Sequence, residues 1–265
     1  MKNASASAKT DSQSTNGTDA NVSLLDRAVN ILDAFSEAQP ELTLTEIVGK
    51  TQLHKATAHR LLASLRKLHL IEKDEGTGKY SLGLRMIAYA DIAKGQNSFV
   101  ARGRATMLEL REQTRQTIYL SVRMGDYRYD VEQIQGFTET RLSVSLGEAK
   151  LLEIGAAGHV MLAAMSADEF GEYLSRTKKL RRPETDVAAL TRDVELIRQV
   201  GYGESLGHGG MTAVAAPVWG PGYTLLGTIS SILSLEMFER DHATVAKFLV
   251  TASKKLSAQL GAPTI

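Results

Sequence analysis

Apolar positions along the chain change their spacing from one stretch to the next, and the spacing divides it into elements. Leu24, Leu25, Ala28, Ile31, Leu32 and Phe35 recur at three- and four-residue steps, the mark of one helix face. Ser23 stands where an N-cap belongs, and Pro40 ends the helix. Thr43-Leu44-Thr45-Glu46 matches the capping box S/T-x-x-E and opens a short second helix with Leu44, Ile47 and Val48 inward. Residues 51–53 read as a turn, and LHKATAHRLLASLRKL, from Leu53 to Leu68, as a third helix. Two short strands follow at 70–73 and 79–82, joined by a hairpin loop at 74–78 that contains Gly76 and Gly78. Helices and hairpin together spell a winged helix-turn-helix.

Residues 84–95 are helical again and read as a connector. From Phe99 the pattern changes. A helix carrying Met107, Leu108 and Leu110 leads into strand-like runs at 117–124 and 127–135, around Gly125-Asp126, and at 141–146. Helical stretches at 156–166, 168–176 and 186–200 come next. Strand runs at 211–219 and 225–234 then precede a C-terminal helix at about 236–260. Antiparallel strands with helices grouped beside them predict an α+β fold. The expected organisation is a tail (1–21), a winged helix-turn-helix domain (22–83), a linker helix (84–98) and a second domain (99–265), with no internal repeat.

The charge balance bears on the partner. The 265 residues carry a formal net charge of only +1, so an anionic partner must be met by local charge. That charge exists: Lys50, Lys55, Arg60, Arg66, Lys67 and Lys73 face a single acid, Glu72, between 50 and 73. The chain has 0 cysteines, which removes disulfides, thiolate metal sites and cysteine nucleophiles. No apolar run approaches the roughly 20 residues of a membrane span. The first 21 residues, MKNASASAKTDSQSTNGTDAN, lack the apolar centre of a signal peptide and read as a disordered tail. The expectation is a soluble cytoplasmic protein.

On a helical wheel, Ala58, Leu61, Leu62, Leu65 and Leu68 of the third helix share one arc, the core face. The opposite arc carries Ala56, Ala63, Arg60 and Lys67, flanked by Thr57, His59 and Ser64. A face small at its centre and basic at its edges fits the B-DNA major groove, about 12 Å wide. Arg60 is placed to fork onto guanine, and Thr57 to touch a base edge or a thymine methyl. Lys55, Lys67 and the wing residue Lys79 are placed for phosphates, which position without specifying. Thr45, at the start of the preceding helix, joins the DNA-facing set. A basic face opposite a leucine face is by itself most often a solvated surface; the capping box, turn and hairpin around this one favour DNA. His54, His59 and His69 are five and ten residues apart and share no helical face, so no metal site is expected.

Residues 24–90 resemble the DNA-binding domain of the IclR family of bacterial transcription regulators. The resemblance lies in Leu25-Asp26-Arg27-Ala28-Val29-Asn30-Ile31-Leu32, Leu44-Thr45-Glu46-Ile47, Leu53-His54-Lys55-Ala56-Thr57-Ala58-His59-Arg60-Leu61-Leu62 and Lys79-Tyr80-Ser81-Leu82-Gly83. Gln52 stands where the family usually has glycine, and Ala56 where it usually has serine. The second half resembles the family's effector domain through Gly155-Ala156-Ala157-Gly158-His159-Val160-Met161-Leu162-Ala163, Gly201-Tyr202 and Ala215-Ala216-Pro217-Val218. The resemblance implies a GAF-like effector-binding domain, a small organic acid as effector, double-stranded operator DNA as partner and a homodimer or a tetramer built as a dimer of dimers. It implies no cofactor. In the family, main-chain amides at the small-residue helix start take an anionic group; here these are Ala156 and Ala157. The facing pocket residues carry over to Glu204, Met211, Ala213, Ser230 and Ile232, with Val144 and Leu146 along one side, a mostly apolar set. His159 replaces the customary lysine.

One enzyme-like pattern competes. Gly203-Glu204-Ser205-Leu206-Gly207 matches G-x-S-x-G, the nucleophile elbow, which demands a strand before the serine and a helix directly after it. Downstream, only the adjacent Asp241-His242 offers triad partners. The reading adopted is a ligand-responsive transcription regulator without catalytic residues; a small-molecule hydrolase built on Ser205 and a constitutive DNA binder are the alternatives.

Overall fold

The computed structural model describes residues 23–36, 38–137, 145–206 and 211–263. The tail at 1–21, Val144 and most of the strand expected at 141–146 lie outside them. The chain divides after Arg85 into two compact units.

In the first unit, α1 (Leu24–Leu32) begins at Ser23, whose side chain and that of Asp26 cap each other's amides. It stops at Leu32, and Asp33 caps it; Phe35 therefore lies beyond the helix that the spacing extended toward Pro40. A strand too short to show a period, β1 (Glu41–Leu42), precedes α2 (Leu44–Thr51). The Thr43/Glu46 capping box forms as read: the Glu46 amide donates to Thr43 Oγ1, and the Thr43 amide donates to Glu46 Oε2 at 2.7 Å. Then come α3 (Lys55–Lys67), β2 (Ile71–Lys73) and β3 (Tyr80–Leu82). The small sheet has the order β1-β3-β2, antiparallel throughout. Ile31, Ile47, Leu61, Leu62, Leu65, Ile71 and Tyr80 form its core; full burial of each such aliphatic side chain contributes about 2 kcal/mol. Leu68, read as core, is 50% exposed, because α3 ends at Lys67 and the chain turns away at His69, φ 58.

In the second unit, α4 (Arg85–Gln96) has no buried residue. Asn97 caps α5 (Ser98–Thr114), which is followed by β4 (Ile118–Met124) and β5 (Tyr127–Ile134). Then come β6 (Lys150–Leu151), α6 (Gly155–Ala163), α7 (Ala167–Arg176), α8 (Val187–Val200), β7 (Gly203–Leu206), β8 (Met211–Trp219), β9 (Leu225–Ser234) and α9 (Leu235–Gln259). Ser145 and Leu146, read as the end of a strand, lie in coil and turn. The strands form one antiparallel sheet, β6-β5-β4-β9-β8-β7.

Alternation along β8 explains the layering. Val214 and Ala216 pack with α5 and α9 around Met107, Leu110 and Leu249. Ala215, between them, packs on the other face with Ala156 and Val160 of α6 and Ile197 of α8. Successive side chains of a strand point to opposite faces, so one small-residue strand serves both layers. The α+β fold is as read.

Candidate DNA-reading helix and effector cavity

The turn before α3 is built without glycine. Gln52 caps α2 in the left-handed region, φ 56 and ψ 19, and its amide donates to Val48 O at 2.9 Å. A side chain there costs roughly 1 kcal/mol; the Gln52 carboxamide offsets part of it by donating to Gly49 O at 2.5 Å. Gln52 thus takes the glycine's conformation and leaves the turn intact.

α3 buries Ala58, Leu61, Leu62 and Leu65 and exposes Lys55, Ala56, His59, Arg60, Ala63, Ser64 and Lys67, with Thr57 half-buried and Thr45 exposed on α2. Its N-cap, His54, makes no side-chain cap bond, so the first-turn amides of Lys55 and Ala56 stay open, a ready acceptor site for phosphate. Among the described residues, Lys55, Arg60 and Lys67 form no ion pair, while Arg66 is engaged by Glu75 at 2.7 Å and Lys79 by Glu41 at 3.7 Å. Counting acids between 50 and 73 missed both partners, since each lies outside that window and arrives through the hairpin or the strand beside it.

In the second unit, a cavity of about 590 Å³ opens at the start of α6. Ala156, Ala157, Ala213, Ser230 and Ile232 line it; Glu204 and Leu146 do not. Glu204 neighbours Ser205 on β7, and alternation turns its side chain from the face that Ser205 presents to the cavity; its Oε1 is buried without a partner. Leu146 is 45% exposed on a turn. The side chain of Met211, like Val144, is outside the described residues.

The lining is also more polar than read. Arg128, Asp130, Lys150, Glu153, His159 and Asp193 all reach it. β5 carries this chemistry: Arg128, Asp130 and Glu132 form its buried row, with partly buried residues between them. The row was available in the sequence as every second residue of a strand. Arg128 Nη2 lies 3.6 Å from Asp130, Lys150 lies 3.3 Å from the same carboxylate, and Ser121 donates to it at 2.6 Å. Glu153 is held by Arg181 at 2.8 Å. Tyr173 donates no proton to solvent here: its hydroxyl accepts from the Glu153 amide at 3.2 Å, and burial pushes its pKa up to about 12.

The α6 start differs from expectation in one bond. The Ala156 amide already donates to Ser205 Oγ at 2.9 Å. Among the described residues the amide of Ala157 has no acceptor, and Ile154 provides no side-chain cap. Ser205 therefore sits within a strand as a helix cap. Ser205 is followed by Leu206 of the same strand, and the next described element is another strand, β8, so among the described residues no helix follows the serine as a nucleophile elbow requires. His242, on α9, stacks on Phe238 with ring centroids 4.8 Å apart. Among the described residues no cluster suited to a metal is found, and no helix is long and apolar enough to cross a membrane.

Comparison with known proteins agrees with both halves. Residues 24–75 match the IclR helix-turn-helix domain, and residues 96–258 match the domain described as bacterial transcriptional regulator IclR C-terminal. The HTH-type transcriptional regulator KdgR of Escherichia coli K12 is 27% identical over 91% of this chain and 93% of its own. XynR of the same organism is 26% identical over 90% and 97%. Among solved structures, an IclR transcriptional regulator from Alicyclobacillus acidocaldarius superposes with a TM-score of 0.80 at 24% identity, covering 90% of this chain and 98% of that one. An IclR homologue from Microbacterium hydrocarbonoxydans, complexed with 4-hydroxybenzoate, superposes with a TM-score of 0.75 at 19% identity, covering 90% and 99%. With a reading helix in one unit and a lined cavity in the other, each matched by its own domain, the chain belongs to the IclR family of bacterial transcriptional regulators.

Proposed function

We propose that this regulator binds operator DNA through α3 and the β2–β3 wing, and that a small organic carboxylate in the α6 cavity alters its grip. The observation that carries the effector reading is the open amide of Ala157, without an acceptor among the described residues, at the wall of the cavity. Its dipole and the positive end of α6 favour a carboxylate. The Microbacterium homologue with 4-hydroxybenzoate supports the view that such a fold accepts a small acid. The mechanism is linkage: an acid that prefers one arrangement of subunits shifts the chain toward it, and the spacing of paired reading helices changes with it.

Pairing of the reading heads needs a surface between copies. α4 offers one: Leu84, just before it, and Ile87, Tyr89 and Ile92 on it are exposed by 47–72%. Two copies of such an apolar stripe cover each other in a dimer.

Ala157, 3% exposed, tests the site. Ala157→Leu fills the approach to this amide, so operator affinity is expected to stop responding to any acid that shifts the wild type, while binding to DNA persists. A gel shift with and without the acid, run on both proteins, is the measurement. An unchanged response in the variant moves the site elsewhere.

The phosphate contacts separate by their partners. Lys67→Ala is expected to flatten the log–log salt dependence by roughly 0.9, the value of one lost phosphate contact on B-DNA. Lys79→Ala flattens it less, because Glu41 already shares that ammonium at 3.7 Å. Salt titrations on operator and scrambled duplex check this; loss confined to the operator assigns Lys67 to a base.

A further inference from the structure

Among the described residues, two buried polar groups in the α6 cavity keep hydrogen-bonding capacity that the fold leaves unspent. The first is Arg128, 8% exposed. Its Nη1 donates to Ile154 O at 3.3 Å, and its Nη2 stands 3.6 Å from Asp130, beyond a hydrogen bond. Its Nε is buried without an acceptor. Asp130 meets this guanidinium only as an ion pair at 3.6 Å, while Ser121 and Lys150 hydrogen-bond its two oxygens. A guanidinium carries five N–H donors in a fixed fork, and most of these are unspent. The carbonyl that Arg128 holds belongs to the residue just before α6, and a methyl placed on Gly155 would lie 3.6 Å from Nη1. The guanidinium and the open amide of Ala157 thus occupy the same end of the cavity.

The second group is His159, 9% exposed. Its Nε2 lies 3.0 Å from Glu153 O. A carbonyl only accepts, so Nε2 carries the proton. Burial holds the ring's pKa below the ordinary histidine range, and the ring is neutral at neutral pH. Nδ1 is then a bare lone pair, buried and unpartnered. The group facing it, Asp193 Oδ2 at 3.6 Å, is another acceptor. Both lack a hydrogen.

We propose that the effector is a hydroxycarboxylate, its carboxylate on Arg128 and the Ala157 amide, and its hydroxyl donating to His159 Nδ1 beside Asp193. The proposal rests on the reading of this cavity as the effector site. A plain carboxylate answers only the first group and a neutral polyol only the second. A second carboxylate is disfavoured: Lys150 is already taken up by Glu148 at 3.4 Å and by Asp130 at 3.3 Å, and the remaining acids Glu184, Asp186 and Asp193 outnumber Arg182 in the lining, so like charges repel at close range.

The test is calorimetry on the full chain with matched probes: gluconate against hexanoate, 4-hydroxybenzoate against benzoate, and sorbitol and 6-aminohexanoate as controls. In at least one pair the hydroxy acid is expected to bind about tenfold or more tighter than its partner, the penalty of leaving a buried polar group unpaired. Sorbitol is expected not to bind. Arg128→Gln is expected to weaken the hydroxy acid by about tenfold or more, as loss of a charge-assisted bond does. His159→Leu is expected to bring the ratio within a pair to about one without weakening the plain acid. The comparison of pairs on the wild type needs no variant and stands if either substitution fails to fold. Equal binding within both pairs, tighter binding of 6-aminohexanoate, or no binding of either hydroxy acid overturns the proposal. Binding that survives Ala157→Leu overturns the underlying site reading. Binding lost in Ala157→Leu but indifferent to Arg128→Gln and to the hydroxyl overturns this assignment alone.

Discussion

Gly158→Ala is expected to destabilise the second unit by about 3 kcal/mol, at the upper end for an overpacked core, and to close the effector response with it. The reason is local. A methyl on Gly158 would stand 2.2 Å from Leu152 O and 2.8 Å from its carbonyl carbon. The obstacle is backbone, not the end of a flexible side chain. That backbone is fixed: Leu152 is fully buried, and the turn around it is closed by the Ile154 amide on Leu151 O at 3.0 Å. Either α6 lifts from the turn or the turn leaves the core, and both displace the Ala157 amide. The same change at Gly171 on α7 meets nothing within 4 Å and replaces a helix-interior glycine, so Gly171→Ala is expected to stabilise by about 0.5–1 kcal/mol. Thermal unfolding of the two variants beside the wild type reads the contrast, at about 2–4 °C per kcal/mol for a unit of this size. Equal midpoints for both variants would contradict the packing described.

Arg60→Ala is expected to cost about 1–3 kcal/mol of operator binding, up to some hundredfold, and to relax preference at one base pair per half-site. Arg60 is exposed on α3 between the open first turn and Lys67, and it forms no ion pair among the described residues. Its guanidinium is therefore free to fork onto a guanine edge without breaking a contact first. The neighbouring Leu61 and Leu62 hold the helix from the other side, so the variant folds. An operator recovered by selection from random duplexes provides the target, and a scrambled duplex the control. An equal loss on both would make Arg60 a phosphate contact.

These two residues show what the sequence reveals and what it hides. The exposed position of Arg60 on α3 is legible in the sequence because a thirteen-residue helix repeats its pattern enough times to separate its two arcs, and because the capping box locates the helix before it. Leu68 failed at the edge of that same reasoning: a wheel has no end, whereas the helix does. β1 and β6, two residues each, are shorter than one full alternation and leave no period to detect. β7 was obscured by its glycine-rich surroundings, which fit a motif as well as a strand. In the cavity, Ala157, Ala213, Ser230 and Ile232 were reached by resemblance, but Arg128 was not, although its alternation with Asp130 and Glu132 was present. A charged row in a strand reads as solvent-facing until the sheet order places β5 between β6 and β4. His159 was noticed only as a departure from lysine; its unfilled lone pair follows from the position of Glu153 O, which arrives from the turn preceding α6.

α4 has a consequence for signalling between the halves of the chain. It is 12 residues long with no buried side chain, and isolated helices shorter than roughly 12–15 residues are marginal in water. Arg85 donates to Leu68 O at 2.9 Å and Lys94 pairs with Glu132 at 3.3 Å, so α4 is held at its ends, while the exposed Ile87 and Ile92 between them add little to its stability until another surface covers them. Coupling energies between sites are typically about 1–3 kcal/mol, enough to tip a marginal helix in either direction. On the mechanism proposed above, the connector is a fuse rather than a rod: a modest push from the effector side orders or frays it, and the reading head is coupled or isolated accordingly.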